Sequence, residues 1–128
     1  RYRGSVVEDE GHIVLEAVME LKKGNLEEIQ ARIEELSIQR KTKQPIEYPS
    51  AGSTFRRPKG YFAGKLIQDS GLRGYRVGGA QVSEKHSGFV INKGGATFDD
   101  VMGVVDAVKE KVYADSGIML ECEILILE

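Results

Sequence analysis

The sequence predicts an α+β fold, in which a mixed or largely antiparallel sheet packs against two long helices and one short helix in a single domain. Segments whose apolar residues recur every second position alternate with segments whose apolar residues recur at helical spacing. Several connections between predicted strands are too short for a parallel crossover, which needs a dozen residues or more. The chain has 128 residues, of which 41% are hydrophobic, and this length is that of one domain.

The first half of the chain predicts one strand and one long helix. Apolar and polar residues alternate over 12–21, as in a strand with one solvated face. Asn25 then predicts a helix N-cap, with Glu28 at the capping-box position, and the helix runs to about Arg40. Residues 41–61 are expected to form a loop. The apolar stripe of the helix comprises Leu26, Ile29, Ile33 and Leu36.

The second half predicts a short helix over 62–70, two strands over 75–82 and 88–92, a second long helix and a closing strand over 119–127. Gly78 and Gly79 soften the first of these strands, and we expect them to permit close packing of the backbone. Thr97 caps the second long helix and Gly117 ends it. Its predicted buried face comprises Val101, Val104, Val105, Val108 and Val112.

Charge is distributed unevenly along the chain. Residues 40–93 contain 11 Lys and Arg against three acidic residues, whereas the whole chain has a formal charge of −2. Such a stretch suits an anionic ligand, although the positive loops could equally pack against the acidic flanks. The open alternative is therefore a non-catalytic module that uses 40–93 to bind anions or nucleic acid. Aromatic residues do not interleave with the basic ones as in stacking platforms, so we expect no nucleic-acid partner.

Several other classes of protein are disfavoured. The single cysteine, Cys122, excludes an intramolecular disulfide, and with only His12 and His86 it makes no recognisable metal set. No apolar run approaches the ~20 residues of a membrane span, so we expect no membrane partner. The segment 60–65 is one residue short of a phosphate-binding loop, and no dinucleotide-binding glycine fingerprint is present.

Ordered blocks of sequence carry a family resemblance. They read KQP at 43–45, PSAGSTFRRP at 49–58, AGKLI at 63–67, GGAQVSEKHSGF at 78–89 and LECE at 120–123. With YRGS at 2–5, these blocks closely resemble the C-terminal portion of UDP-N-acetylenolpyruvoylglucosamine reductase, also called UDP-N-acetylmuramate dehydrogenase. The resemblance covers essentially the whole chain.

The resemblance implies the substrate-binding domain of a cytoplasmic flavoenzyme of peptidoglycan precursor synthesis, which serves cell-wall biogenesis, cell shape and cell division. In this family NADPH reduces FAD, and the reduced flavin gives hydride to UDP-N-acetylglucosamine enolpyruvate. Residues 1–10 would then end a preceding FAD-binding domain, 11–128 would form the C-terminal domain, and this chain alone would be inactive. Tyr2 and Arg3 are possible cofactor contacts.

The resemblance also implies residue roles. Ser53 matches the catalytic serine that protonates the carbanion-like intermediate, and Glu123 matches the catalytic glutamate. Without the resemblance, Ser53 would be interpreted as a turn residue after Gly52. Lys43 matches a diphosphate-binding lysine, while Arg57 and His86 stand where other members place a substrate-contacting asparagine and glutamine. The chain has no insertion after Ser5 for the tyrosine flap of some members, so it resembles the subclass that lacks it.

Overall fold

The structure is a computed structural model that describes residues 4–127. It confirms the α+β class, and the four described strands form one antiparallel sheet in the order β1-β4-β3-β2. The chain divides into two compact units, one ending at Ile33 and the other beginning at Glu34. The elements are α1 (Val6–Asp9), α2 (Leu26–Lys43), β1 (Ser50–Ser53), α3 (Ala63–Asp69), β2 (Arg76–Val77), β3 (Ala80–Val82), β4 (Phe89–Asn92) and α4 (Phe98–Ser116).

The strand predicted over 12–21 is wrong, because this segment is not in a strand. A strand needs backbone hydrogen bonds from a neighbour, and none of the described residues pairs with this segment. Its apolar side chains are exposed, with Leu15 at 94%. The predicted start of α2 is confirmed, since the Glu28 N–H donates to Asn25 Oδ1 at 3.1 Å. The apolar stripe of α2 contains no buried residue.

The segment predicted as a single strand over 75–82 is a hairpin of β2 and β3, with Gly78 and Gly79 at its turn. Gly78 has φ +51, which favours glycine. A β-carbon on Gly79 would lie closer than 3.0 Å to the backbone of Gly94 and Ala96. The expected close packing of backbone at this glycine pair is therefore confirmed.

Helix α4 forms the core with the sheet and α3. Both of its predicted ends are confirmed: Thr97 Oγ1 accepts from the Asp100 N–H at 3.1 Å, and Gly117 has φ +70. The pKa of the Asp100 carboxyl is lowered by backbone hydrogen bonds from Thr97 and then from Gly79. The fully buried members of the core include Val104, Val105, Val108, Val112, Ile67, Val82 and Leu120.

The closing strand is reduced to one antiparallel bridge between Phe55 and Cys122, so the strand predicted over 119–127 is wrong in extent. Beyond it Leu125 and Leu127 are 84% and 91% exposed. The predicted loop over 41–61 contains the edge strand β1. None of the helices within residues 4–127 combines the length and the apolar composition of a membrane span.

Candidate active site

A bulge in β1 places Ser53 at the edge of the sheet. Ser50 is opposite Ile91 and Ser53 is opposite Phe89, so three steps along β1 match two steps along β4. Gly52 has φ +81 within this bulge, a conformation that favours glycine. Bulges change the direction of a side chain relative to a regular strand. The Ser53 side chain is exposed, and its hydroxyl makes no hydrogen bond within the described part of the chain.

The segment that carries Glu123 runs antiparallel beside the residues that follow β1. The Arg56 N–H donates to the Glu121 carbonyl at 2.8 Å, and the Glu123 N–H donates to the Thr54 carbonyl at 2.9 Å. Glu123 therefore lies across from the residue directly after Ser53. Glu123 is half-buried, whereas Glu121 is exposed and its carboxylate lies 3.9 Å from Arg56 Nη1.

Thr54 forms hydrogen bonds to the segments that make up the site. The sequence did not identify it as a candidate residue. Its side chain is 2% exposed, and Oγ1 accepts from the Val90 N–H at 3.1 Å. Its N–H donates to the Gly88 carbonyl at 2.9 Å. With the bond from Glu123, three separate segments meet at Thr54. No local signal marks Thr54, because residues 41–61 are expected to form a loop and its partners are distant in sequence.

Thr54 also brings His86 to the same end of the sheet, because Gly88 closes the turn between β3 and β4. Buried Ser83 shapes this turn, since its Oγ accepts from the N–H groups of Lys85 and His86 at 3.2 Å each. The His86 side chain is exposed, and its ring meets the Phe89 ring edge-on at 5.0 Å between centroids.

Arg57 is held by the residues that directly precede α3. Its Nε donates to the Tyr61 carbonyl at 3.3 Å, and its guanidinium carbon lies 4.0 Å from the centroid of the Phe62 ring. These two contacts fix the head group of an exposed side chain. Phe62 immediately precedes α3, so the start of that helix positions the arginine.

Lys43 is the remaining residue that was predicted to bind substrate. It is the exposed last residue of α2, and no hydrogen bond or ion pair within residues 4–127 joins it to Ser53 or Glu123. The neighbouring loop is tied to the β3–β4 turn by Lys85, whose Nζ lies 2.8 Å from a Glu47 carboxylate oxygen. A side-chain hydrogen bond from Lys85 is the main cause that lowers the pKa of the Glu47 carboxyl.

Thr54, directly after Ser53, is thus hydrogen-bonded to Glu123 and to the turn that carries His86, and Arg57 follows three residues later on the same segment. Tyr2 and Arg3 lie outside the described residues. No group of three or more metal-binding side chains occurs among the residues described.

Comparison with known proteins gives a consistent result. The family model for the C-terminal domain of UDP-N-acetylenolpyruvoylglucosamine reductase matches residues 44–127. Curated reductases of that name from Lachnoclostridium phytofermentans and Clostridioides difficile are 58% and 52% identical over 98% of this chain. The chain spans 41% of the length of each.

A solved structure of UDP-N-acetylenolpyruvylglucosamine reductase from Thermus caldophilus matches 81% of this chain and 36% of its own length. The TM-score is 0.67 and the identity 38%. The chain therefore belongs to the UDP-N-acetylenolpyruvoylglucosamine reductase family, as a representative of its C-terminal domain.

Proposed function

We propose that this chain is the substrate-binding and proton-donating part of a reductase that converts UDP-N-acetylglucosamine enolpyruvate to UDP-N-acetylmuramate, a cytoplasmic step of peptidoglycan precursor synthesis. The observation that carries the proposal is the exposed Ser53 hydroxyl beside the segment that holds Glu123. Family membership indicates a reaction in which a serine and a glutamate of this kind have a chemical role.

The hydride comes from NADPH by way of FAD, and the chain carries no dinucleotide-binding glycine fingerprint. We assign FAD to the rest of the full-length protein, and we expect the isolated chain to be inactive. Exposed apolar side chains such as Leu15 and Leu127 support contact with such a further domain.

Ser53 is the proton donor in this proposal. Hydride addition to one carbon of the enol ether leaves a carbanion-like carbon beside the carboxylate, and the product forms only when that carbon is protonated. The Ser53 hydroxyl is exposed and makes no hydrogen bond to another described side chain, so its O–H can face the substrate. A positioned general acid contributes about 10²–10⁴-fold to the rate.

Glu123 supports the same step. Its backbone N–H donates to the Thr54 carbonyl. The half-buried Glu123 therefore lies opposite the residue that follows Ser53. From there it polarises the substrate carboxyl group, or it passes a replacement proton to the Ser53 oxygen once the hydroxyl has protonated the carbon.

Three cationic or donor side chains bind the anionic sugar nucleotide. Lys43 contacts the diphosphate as a point charge, and Arg57 offers the terminal nitrogens of its guanidinium. The contact with Phe62 holds this guanidinium in place before the ligand arrives, which lowers the entropy cost of binding. His86 contacts the sugar nucleotide from the β3–β4 turn.

The test uses the full-length protein that contains this chain, with Ser53→Ala compared with wild type. Flavin is first reduced by NADPH and then mixed rapidly with the enolpyruvyl UDP-sugar, and flavin reoxidation is followed by absorbance. We expect reoxidation to slow by about 10²-fold or more, with NADPH reducing the flavin at the wild-type rate.

Ser50→Ala is the matched control, because Ser50 is an exposed serine at the other end of the same short strand. It should reoxidise at close to the wild-type rate. Equal rates for Ser53→Ala and wild type would show that Ser53 is only a turn residue. Failure of the wild-type protein to reduce the UDP-sugar at all would overturn the proposed function.

A further inference from the structure

The His86 ring rests on two glycines. A β-carbon on Gly64 would lie 3.3 Å from His86 Cε1 and 3.2 Å from the Gly88 nitrogen. A β-carbon on Gly88 would lie 3.0 Å from Cε1 and 3.1 Å from Nδ1 of the same ring. The Phe89 ring contacts the His86 ring edge-on.

Neither glycine is required by the backbone. Neither residue is among the glycines with positive φ, so alanine could adopt both conformations. Gly64 is also the second residue of α3, where alanine favours the helix more than glycine does. A β-carbon on Gly88 would crowd the imidazole, and one on Gly64 would crowd both the imidazole and the Gly88 nitrogen.

One hydrogen bond sets the proton arrangement of the ring. The Gly88 N–H donates to His86 Nδ1 at 3.1 Å, so Nδ1 must carry the lone pair. In the neutral imidazole the proton then lies on Nε2. The ring therefore presents an N–H donor at its far end and no acceptor there.

We infer that Gly64 and Gly88 are positioning residues that hold His86 as a neutral Nε2–H donor toward an acceptor oxygen of the substrate. This inference rests on the proposed function for the identity of the ligand. Phosphate, carboxylate and sugar carbonyl oxygens accept hydrogen bonds, so the opposite tautomer would present a lone pair to them. A glutamine in place of His86 could donate from its amide nitrogen, which predicts that the two residue types are interchangeable here.

The first experiment measures the tautomer directly in the full-length protein labelled with ¹⁵N at histidine ring nitrogens. Long-range ¹H–¹⁵N correlation spectra at pH 8.5, where imidazoles are neutral, distinguish the two tautomers. The His86 signal is identified by its loss in His86→Gln. We expect the Nε2–H pattern in the protein without ligand. The Nδ1–H pattern, or a mixture of the two, would overturn the inference.

The second experiment measures KM and kcat for the enolpyruvyl UDP-sugar in variants of the same protein. His86→Leu should raise KM about 10-fold, as expected for a lost hydrogen bond to a charged group, whereas His86→Gln should stay within a few-fold of wild type. Gly64→Ala should raise KM by a similar factor, because its β-carbon would displace the imidazole ring.

A double-mutant cycle separates positioning from a general packing defect. In the His86→Leu background, Gly64→Ala should add little to KM, and additive effects would overturn the positioning role. The experiments distinguish a failure of this inference from a failure of the proposed function. The Nε2–H tautomer in a protein without reductase activity would refute the function alone, while normal activity with the wrong tautomer would refute this inference alone.

Discussion

Replacing Thr54 with valine tests whether a single buried hydroxyl holds the candidate site together. Valine has nearly the shape of threonine but offers no acceptor, so the Val90 N–H that now donates to Thr54 Oγ1 at 3.1 Å would lose its partner. Thr54 and Val90 are 2% and 7% exposed, so water cannot easily replace the lost acceptor.

The size of the effect follows from this burial. A buried donor left without an acceptor costs about 1–3 kcal/mol, so the free energy of unfolding should fall by that amount. Thr54→Ser is the matched control: it keeps the acceptor and loses one methyl group, worth about 1 kcal/mol.

Urea unfolding of the chain, followed by circular dichroism, measures the change. The midpoint should fall in Thr54→Val with an unchanged slope, and the Val90 amide should lose protection from hydrogen exchange, whereas Thr54→Ser should keep it. A Thr54→Val protein as stable as wild type, with the Val90 amide still protected, would refute the reasoning.

Three further predictions concern the surroundings of the site. Gly79→Ala should lower the free energy of unfolding by about 1–3 kcal/mol, measured by urea unfolding, because its β-carbon would overlap backbone atoms of the neighbouring turn; unchanged stability would contradict this contact. The lowered pKa of the Asp100 carboxyl stabilises the fold above the unfolded pKa of about 4, and this contribution is lost as the pH falls through the folded value. Urea midpoints between pH 6 and pH 3 should therefore fall less steeply in Asp100→Asn than in wild type, and equal slopes would argue against the linkage. Phe62→Ala should raise KM for the UDP-sugar about 2–5-fold in the full-length protein by releasing the Arg57 guanidinium, and an unchanged KM would show that this contact does not prepare the arginine.

The helices could largely be predicted because their ends are set by local hydrogen bonds. Thr97 and Gly117 bound α4 as expected, and the expected short helix lies at Ala63–Asp69. These signals act over three or four residues, so they do not depend on the rest of the fold.

The candidate site could be predicted only as a list of residues. Family resemblance selected Ser53, Glu123 and His86, but it gave no reason for them to meet. Thr54 and Gly64 carry no local signal of their importance, because their roles depend on partners more than 20 residues away in sequence.

Strand pairing likewise depends on distant segments and not on local signals. The alternation over 12–21 and 119–127 predicts two strands, yet among the described residues these segments form only the bridge between Phe55 and Cys122. A strand is stabilised by hydrogen bonds from another segment, so its own residues cannot decide whether that segment is present.

The sequence by itself therefore determined the family, the ends of α3 and α4, and the residue types available for chemistry. The tertiary structure alone decided that β1 carries a bulge at Gly52, that three segments join at Thr54, and that the His86 imidazole rests on Gly64 and Gly88. The physical reason is range: caps and turns are satisfied within a few residues, whereas sheet register and ring packing depend on which distant backbone groups come into contact.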